Sequence, residues 1–306
     1  MRVVSLLASA TEIVCALEAG ATLVGRSHEC DNPAWVRRLP SCSEPAFDVS
    51  MSSGDIDREV RRRMRLGEPL YRIDTDLIRE LKPDLIIAQS HCEVCAITPG
   101  DLERSGGCIP CVPVLPLAAS SLDEIFASIG QVARALDREE RGCALVAGER
   151  QRLASLRTAG LRRPSLAVLE WTDPIFPMGN WGPELVDIAG AEPALGNREQ
   201  HSFAIASDLL KGSDPEYVIV APCGLDLPRA CGELSVLEHY LWWHELRAVH
   251  DGRVAFADGN LFFNRSGMTV ARTAEIIAEI VHGIISGERS EGAHWQWIRE
   301  LRGYFR

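Results

Sequence analysis

The chain has 306 residues, of which 46% are hydrophobic and 25% charged. That is the mix of a soluble globular protein long enough for two domains, and it excludes wholesale disorder. A formal charge of -11 argues against non-specific nucleic-acid binding, because phosphate contacts need clustered Lys and Arg. No run reaches the roughly 18–20 apolar residues that span a bilayer.

Residues 1–20 faintly imitate a signal peptide, with one Arg followed by apolar residues. Glu12 and Glu18 interrupt that run, and Val14 precedes Cys15 where a lipoprotein cleavage site wants a small residue. The segment reads as a buried strand at 2–7 and a helix at 11–19 stopped by Gly20, and this implies a cytoplasmic protein. Strands follow at 22–24, 84–88 and 112–115, with a helix at 74–81 and a helical turn at 99–104. The basic run 58–65 is flanked by acids and reads as a solvated helix face or loop. Apolar strands alternating with amphipathic helices predict a mostly parallel sheet covered on both faces.

Ser121-Leu122-Asp123-Glu124 is a capping box that starts a helix. No Pro follows until Pro164, and Ile125, Ile129, Val132 and Leu136 keep helical spacing. One or two long helices, with a break near Asp137, are expected to connect two lobes. Strands then resume at 165–170, 217–221 and 253–257, with helices at 183–189, 207–211, 236–246 and 269–285. The tail, 294–306, is expected to be a helix that packs Trp295 and Trp297 on the body. The expected division is an N-terminal α/β lobe at 1–118, a connecting helix at 119–160 and a C-terminal α/β lobe at 161–306.

Open parallel sheets bind ligands beyond the carboxyl ends of their strands, so the residues just after each strand are the candidates. They include Arg26, His28 and Cys30; His91, Cys92 and Cys95; Trp171 and Trp181; Cys223; and Phe262 and Arg265. Ten cysteines are many for a cytosolic chain. Cys15 and Cys143 sit on apolar helical patterns and read as core. Cys30, Cys92, Cys95 and Cys223, near His28 and His91, suit zinc or an iron–sulfur cluster, or are reduced thiols lining a pocket.

Cys92-x-x-Cys95 with Cys108-x-x-Cys111 imitates a zinc ribbon. The two pairs, however, fall at opposite ends of a strand roughly 16 Å long. Trp171, Trp181 and Phe262 supply flat faces for a large planar ligand, or ordinary packing. Trp242 and Trp243 read as core or interface. Arg26 and Arg265 would meet ligand carboxylates or phosphate, or pair with nearby acids. No nucleophile–base pair or phosphate loop is evident, and Gly106-Gly107 is a turn.

Ser5-Leu6-Leu7-Ala8-Ser9-Ala10-Thr11-Glu12 resembles the S-L-x-P-S-x-T-E opening of cluster III substrate-binding proteins, above all those that bind cobalamin for vitamin B12 import, with Ala8 in place of Pro. Residues 25–33, the strand lead-in Lys82-Pro83-Asp84-Leu85-Ile86, and Gly179-x-Trp181-x-x-Glu184-Leu185 with Ala189-Gly190 extend the resemblance over nearly the whole chain. It implies an α/β fold of two Rossmann-like lobes with mostly parallel sheets, bridged by a long α-helix, with a small ligand pinched in the interlobe cleft. Cobalamin or a related corrinoid is the implied ligand. Trp171, Trp181 and Phe262 would flank the macrocycle, and a Cys or His would approach its metal. A transporter or a corrinoid-pathway protein is the implied partner.

A signal-less branch is similar in carrying H-E-C-D, C-E-V-C-A and P-C-G. They stand here at 28–31, 92–96 and 222–224. The exported importers lack that cysteine set. The competing reading is a cytosolic zinc or iron–sulfur protein, a redox enzyme or a metal carrier, with the cysteines as ligands.

Overall fold

The computed structural model describes residues 1–90, 96–104, 112–156, 161–284 and 289–304. The chain divides into two compact units. One comprises residues 1–119, 123–148 and 266–268, and the other residues 120–122, 149–265 and 269–306.

In the first unit, β1 (Val3–Ser5) is wholly buried and runs into α1 (Ala8–Ala16), whose residues 8–14 are all buried. The leader-like stretch is thus a central strand and its covering helix. β2 (Leu23–Arg26) follows, and then an antiparallel pair, β3 (Ser43–Pro45) and β4 (Tyr71–Ile73).

Between β3 and β4 lies α2 (Ser53–Leu66), which settles the basic run as a helix. The Ser52 hydroxyl accepts the Asp55 N–H at its start, and Gly67 ends it in the left-handed conformation. Its arginines pair with acids three or four residues earlier: Arg58 with Asp55, Arg61 with Asp57, and Arg62 and Arg63 with Glu59. α3 (Thr75–Leu81), capped by the Asp74 side chain, precedes β5 (Leu85–Gln89). α4 (Pro99–Arg104) falls where the helical turn was expected, and β6 (Val114–Leu117) ends the sheet. Strand order is β2-β1-β5-β6, every pair parallel. Val4, Leu6, Ile78, Ile86 and Ile97 form the core beneath it.

The expected long bridging helix is two helices, α5 (Leu122–Ala135) and α6 (Glu139–Ser155). The break is at Asp137, whose φ of 54° no helix interior tolerates. Cys143, on α6, is exposed rather than buried.

From residue 165 the second unit runs through β7 (Ser165–Trp171), β8 (Phe176–Pro177), α7 (Gly182–Ile188), β9 (Glu192–Pro193), α8 (Ser207–Ser213) and β10 (Tyr217–Val220). The helix expected at 236–246 is broken: it takes in the end of α9 (Leu227–Leu237) and all of α10 (Leu241–His244), and α11 (Arg247–His250) follows as a separate turn. Packing overrides the helical spacing here. Trp243 is drawn fully into the core with Val218, Val220 and Phe256, while Leu241 is left 83% exposed. β11 (Val254–Ala257) precedes α12 (Val270–His282).

The expected tail helix opens instead as β12 (Trp295–Trp297), antiparallel to β11, before α13 (Ile298–Tyr304). Trp295 is buried there. Strand order is β12-β11-β10-β7-β8, with β9 also on β7. β11, β10, β7 and β9 are parallel, and β8 and β12 antiparallel. No helix among the described residues is long and apolar enough to cross a membrane.

Candidate functional site

Parallel pairing brings the ends of β1 and β2 together in the first unit. The Ser27 N–H donates to the Ser5 carbonyl at 2.8 Å. Around this junction lies a knot of hydroxyls and one thiol. Thr11 Oγ1 lies 2.8 Å from Ser5 Oγ and 3.0 Å from Cys30 Sγ, and Ser27 Oγ is 3.3 Å from the same sulfur. Cys30 is 1% exposed. Burial pushes its thiol pKa up against the lowering hydrogen bonds of Ser27 and Thr11, so it stays protonated. The thiolate is the form that binds metal.

Beside the knot, the Arg26 guanidinium folds back on its own loop. Nη1 donates to the carbonyls of Ser27 (2.8 Å) and His28 (3.4 Å), and Nη2 donates to that of Arg37 (3.2 Å). His28 is half-buried. Its Nδ1 is 2.9 Å from Ser43 Oγ on β3, and its ring centroid is 5.4 Å from that of Tyr71 on β4. Burial first, and the Arg26 charge second, lower its pKa to about 4, so the imidazole is neutral at pH 7.

The second unit's carboxyl edge is built from backbone at close quarters. A Cβ on Gly259, just after β11, would press on the Pro222 carbonyl and lie 2.5 Å from that of Ala221, so only glycine lets these loops meet. Asn264 Nδ2 donates to the carbonyls of Ala221 (3.1 Å) and Gly259 (3.0 Å), and the Cys223 N–H to that of Glu170 (3.0 Å). Residues 259–263 form a π-helical turn started by Asp258, whose Oδ1 accepts the Leu261 N–H at 2.7 Å. Burial raises the Asp258 carboxyl pKa.

Arg265, 5% exposed, donates from Nε to the Asn260 carbonyl (2.6 Å) and from Nη2 to Asn260 Oδ1 (3.2 Å). Phe262 is equally buried and meets the His294 ring edge-on at 4.7 Å. Burial, then the Arg272 charge, lowers the His294 pKa. At the end of β7, Trp171 is half-buried and its Nε1–H donates to the Asp173 carbonyl at 3.2 Å. The next residue, Thr172, hydrogen-bonds through its hydroxyl to the buried Glu233 carboxylate on α9.

Trp181 sits just before α7, and its Nε1 is buried with no hydrogen-bond partner among the described residues. Glu184 of the same motif accepts the Leu122 N–H at the start of α5 (3.4 Å), which gives that motif acid a structural task.

Of the sequence candidates, Arg26, His28 and Cys30 thus share the first unit's edge. Trp171, Cys223, Phe262 and Arg265 share the second's. Cys92 and Cys95, with His91 and the ribbon partners Cys108 and Cys111, lie outside the described residues. Among the described residues no three His, Cys, Asp or Glu side chains form a group able to hold a metal ion. Sequence reasoning passed over Ser43, Asn264, Glu233 and His294. Ser5 and Thr11 were visible as motif residues, though nothing marked them as partners of Cys30.

A four-stranded parallel sheet in one unit and a largely parallel one in the other, with polar and aromatic loops gathered at their carboxyl ends, define a small-ligand-binding protein of the two-lobed α/β class. The model of the family described as "Periplasmic binding protein" matches residues 3–261, and the chain belongs to that family of ABC-transporter-type substrate-binding proteins. No curated protein matches it.

Among solved structures, a periplasmic heme-binding protein from Pseudomonas aeruginosa is similar with a TM-score of 0.70 at 19% identity, over 97% of each chain. Heme-binding RhuT from Roseiflexus sp. RS-1 gives 0.68 at 22%, over 92% of this chain and 97% of its own. The vitamin B12 binding protein BtuF of Vibrio cholerae gives 0.63 at 21%, over 91% and 95%. These likenesses establish the fold.

Proposed function

We propose that the chain binds a corrinoid of the cobalamin type through the loops at the carboxyl ends of its parallel strands. The observation that carries this reading over heme is the state of the two edge arginines. Heme presents two propionate carboxylates, which call for a free guanidinium fork. Arg26 and Arg265 already donate to oxygens of their own loops. A corrinoid's rim carries neutral amides, which hydrogen-bond to hydroxyls and carbonyls such as those crowding both edges.

The similarity to a vitamin B12 binder and the S-L-x-x-S-x-T-E opening support the same choice. In this reading His28 offers a neutral imidazole at the first unit's edge, on a loop held by Arg26. The zinc and iron–sulfur reading draws no support from the buried, hydrogen-bonded thiol of Cys30.

Gel filtration of the full chain after incubation with hydroxocobalamin, and separately with hemin, tests the proposal. Corrinoid absorbance should travel with the protein at about one per chain, and heme should wash off. Retention of heme with loss of the corrinoid would overturn the assignment.

A further inference from the structure

We propose that His28 supplies an axial nitrogen to the cobalt of the bound corrinoid, with Ser43 as the residue that positions the ring; this rests on the corrinoid reading above. The imidazole is fixed by Ser43 and Tyr71. Ser43, buried on β3, has its hydroxyl 2.9 Å from His28 Nδ1, and the same oxygen accepts the His28 backbone N–H at 3.2 Å. Arg26 pins the loop through the Ser27 and His28 carbonyls. The Tyr71 ring lies against the imidazole at an interplanar angle of 40°. Among the described residues nothing hydrogen-bonds to Nε2.

This is the pattern of a ligating histidine. With Nδ1 as the donor to the Ser43 oxygen, the tautomer leaves the lone pair on Nε2. The neighbouring soft donor is spent, since the Cys30 sulfur is enclosed by Ser5, Thr11 and Ser27. In the binding step the Nε2–cobalt bond forms as the bond from cobalt to its departing axial ligand, water or the corrinoid's own base, breaks. The departing ligand leaves with its electron pair, and the cobalt oxidation state is unchanged.

The test uses cob(II)inamide, a corrinoid with no base of its own, bound to the full chain and examined by electron paramagnetic resonance. An axial nitrogen splits the cobalt lines into three. In protein grown with histidine carrying the heavy nitrogen isotope, the three lines should become two. His28→Gln should bind the corrinoid more weakly and lose the splitting. Ser43→Ala should keep the splitting while binding about 10–100-fold more weakly, the usual cost of removing an outer-shell partner. Ser43→Thr, which retains the hydroxyl, should recover most of that loss.

Bound cobinamide without nitrogen splitting, or splitting that persists in His28→Gln, would overturn the His28 assignment and leave the corrinoid reading standing. Failure of the wild-type chain to retain any corrinoid would remove both. The isotope result on wild-type protein decides the matter even if the variants fold poorly.

Discussion

The two units place different materials at equivalent edges of their sheets. The first unit's edge is made of side chains: Ser5, Thr11, Ser27 and Cys30 interlock, and Arg26 and Ser43 hold His28. The second unit's edge is made of backbone, with carbonyls of Glu170, Ala221, Pro222 and Gly259 packed so closely that glycine and an asparagine amide join them. A side-chain edge can be altered one group at a time and still fold. A backbone edge tolerates little, because a new Cβ meets atoms that cannot rotate away.

The largest effect should therefore come from the second edge. Gly259→Ala forces a Cβ against two carbonyl oxygens and should cost about 3 kcal/mol or more of stability, measured by urea denaturation. A loss below about 1 kcal/mol would show that the loops can separate, and the contrast would dissolve. Thr172→Val comes next. It leaves the buried Glu233 carboxylate without its hydroxyl donor, at a cost of about 1–3 kcal/mol.

On the first edge, Cys30→Ala leaves a small void and strips the Thr11 and Ser27 hydroxyls of the sulfur they meet. About 1–2 kcal/mol is expected, while Cys223→Ala, at a partly exposed thiol, should stay within about 0.5 kcal/mol. Equal losses at the two cysteines would contradict the burial difference.

The smallest effect is the pH dependence. The unfolded imidazoles take up protons near pH 6.5, whereas in the folded chain His28 does so at about 4 and His294 below its ordinary value. As pH falls below about 6.5 the unfolded state binds more protons than the folded one, so stability declines with acidity. For His28 the decline ends near pH 4. His294→Gln should make the acid slope shallower without abolishing it. An unchanged slope would mean that His294 protonates freely when folded.

Much of the fold was legible because it rests on continuous apolar strands. Val3, Val4, Ile86, Ile87 and residues 217–220 announce parallel buried strands through composition alone. The α5–α6 break was legible as a weakening near Asp137. The three-piece segment 227–250 was not, since Trp242 and Trp243 keep helical spacing and only tertiary packing decides that one of them enters the core. β12 was hidden for the same reason, because a three-residue strand carries almost no pattern of its own.

At the site, loop position after each strand picked out Arg26, His28, Cys30 and Trp171. It could not show that Arg26 and Arg265 turn back on their own loops. Nor could it find Ser43, which reaches His28 from an antiparallel pair that sequence periodicity does not reveal.

The most direct test of the central claim is a calorimetric titration of the full chain with hydroxocobalamin and, in parallel, with hemin. Saturable one-to-one binding of the corrinoid is expected, at least about tenfold tighter than that of heme, a gap of about 1.4 kcal/mol. Heme binding the tighter, or no heat from the corrinoid, would contradict it.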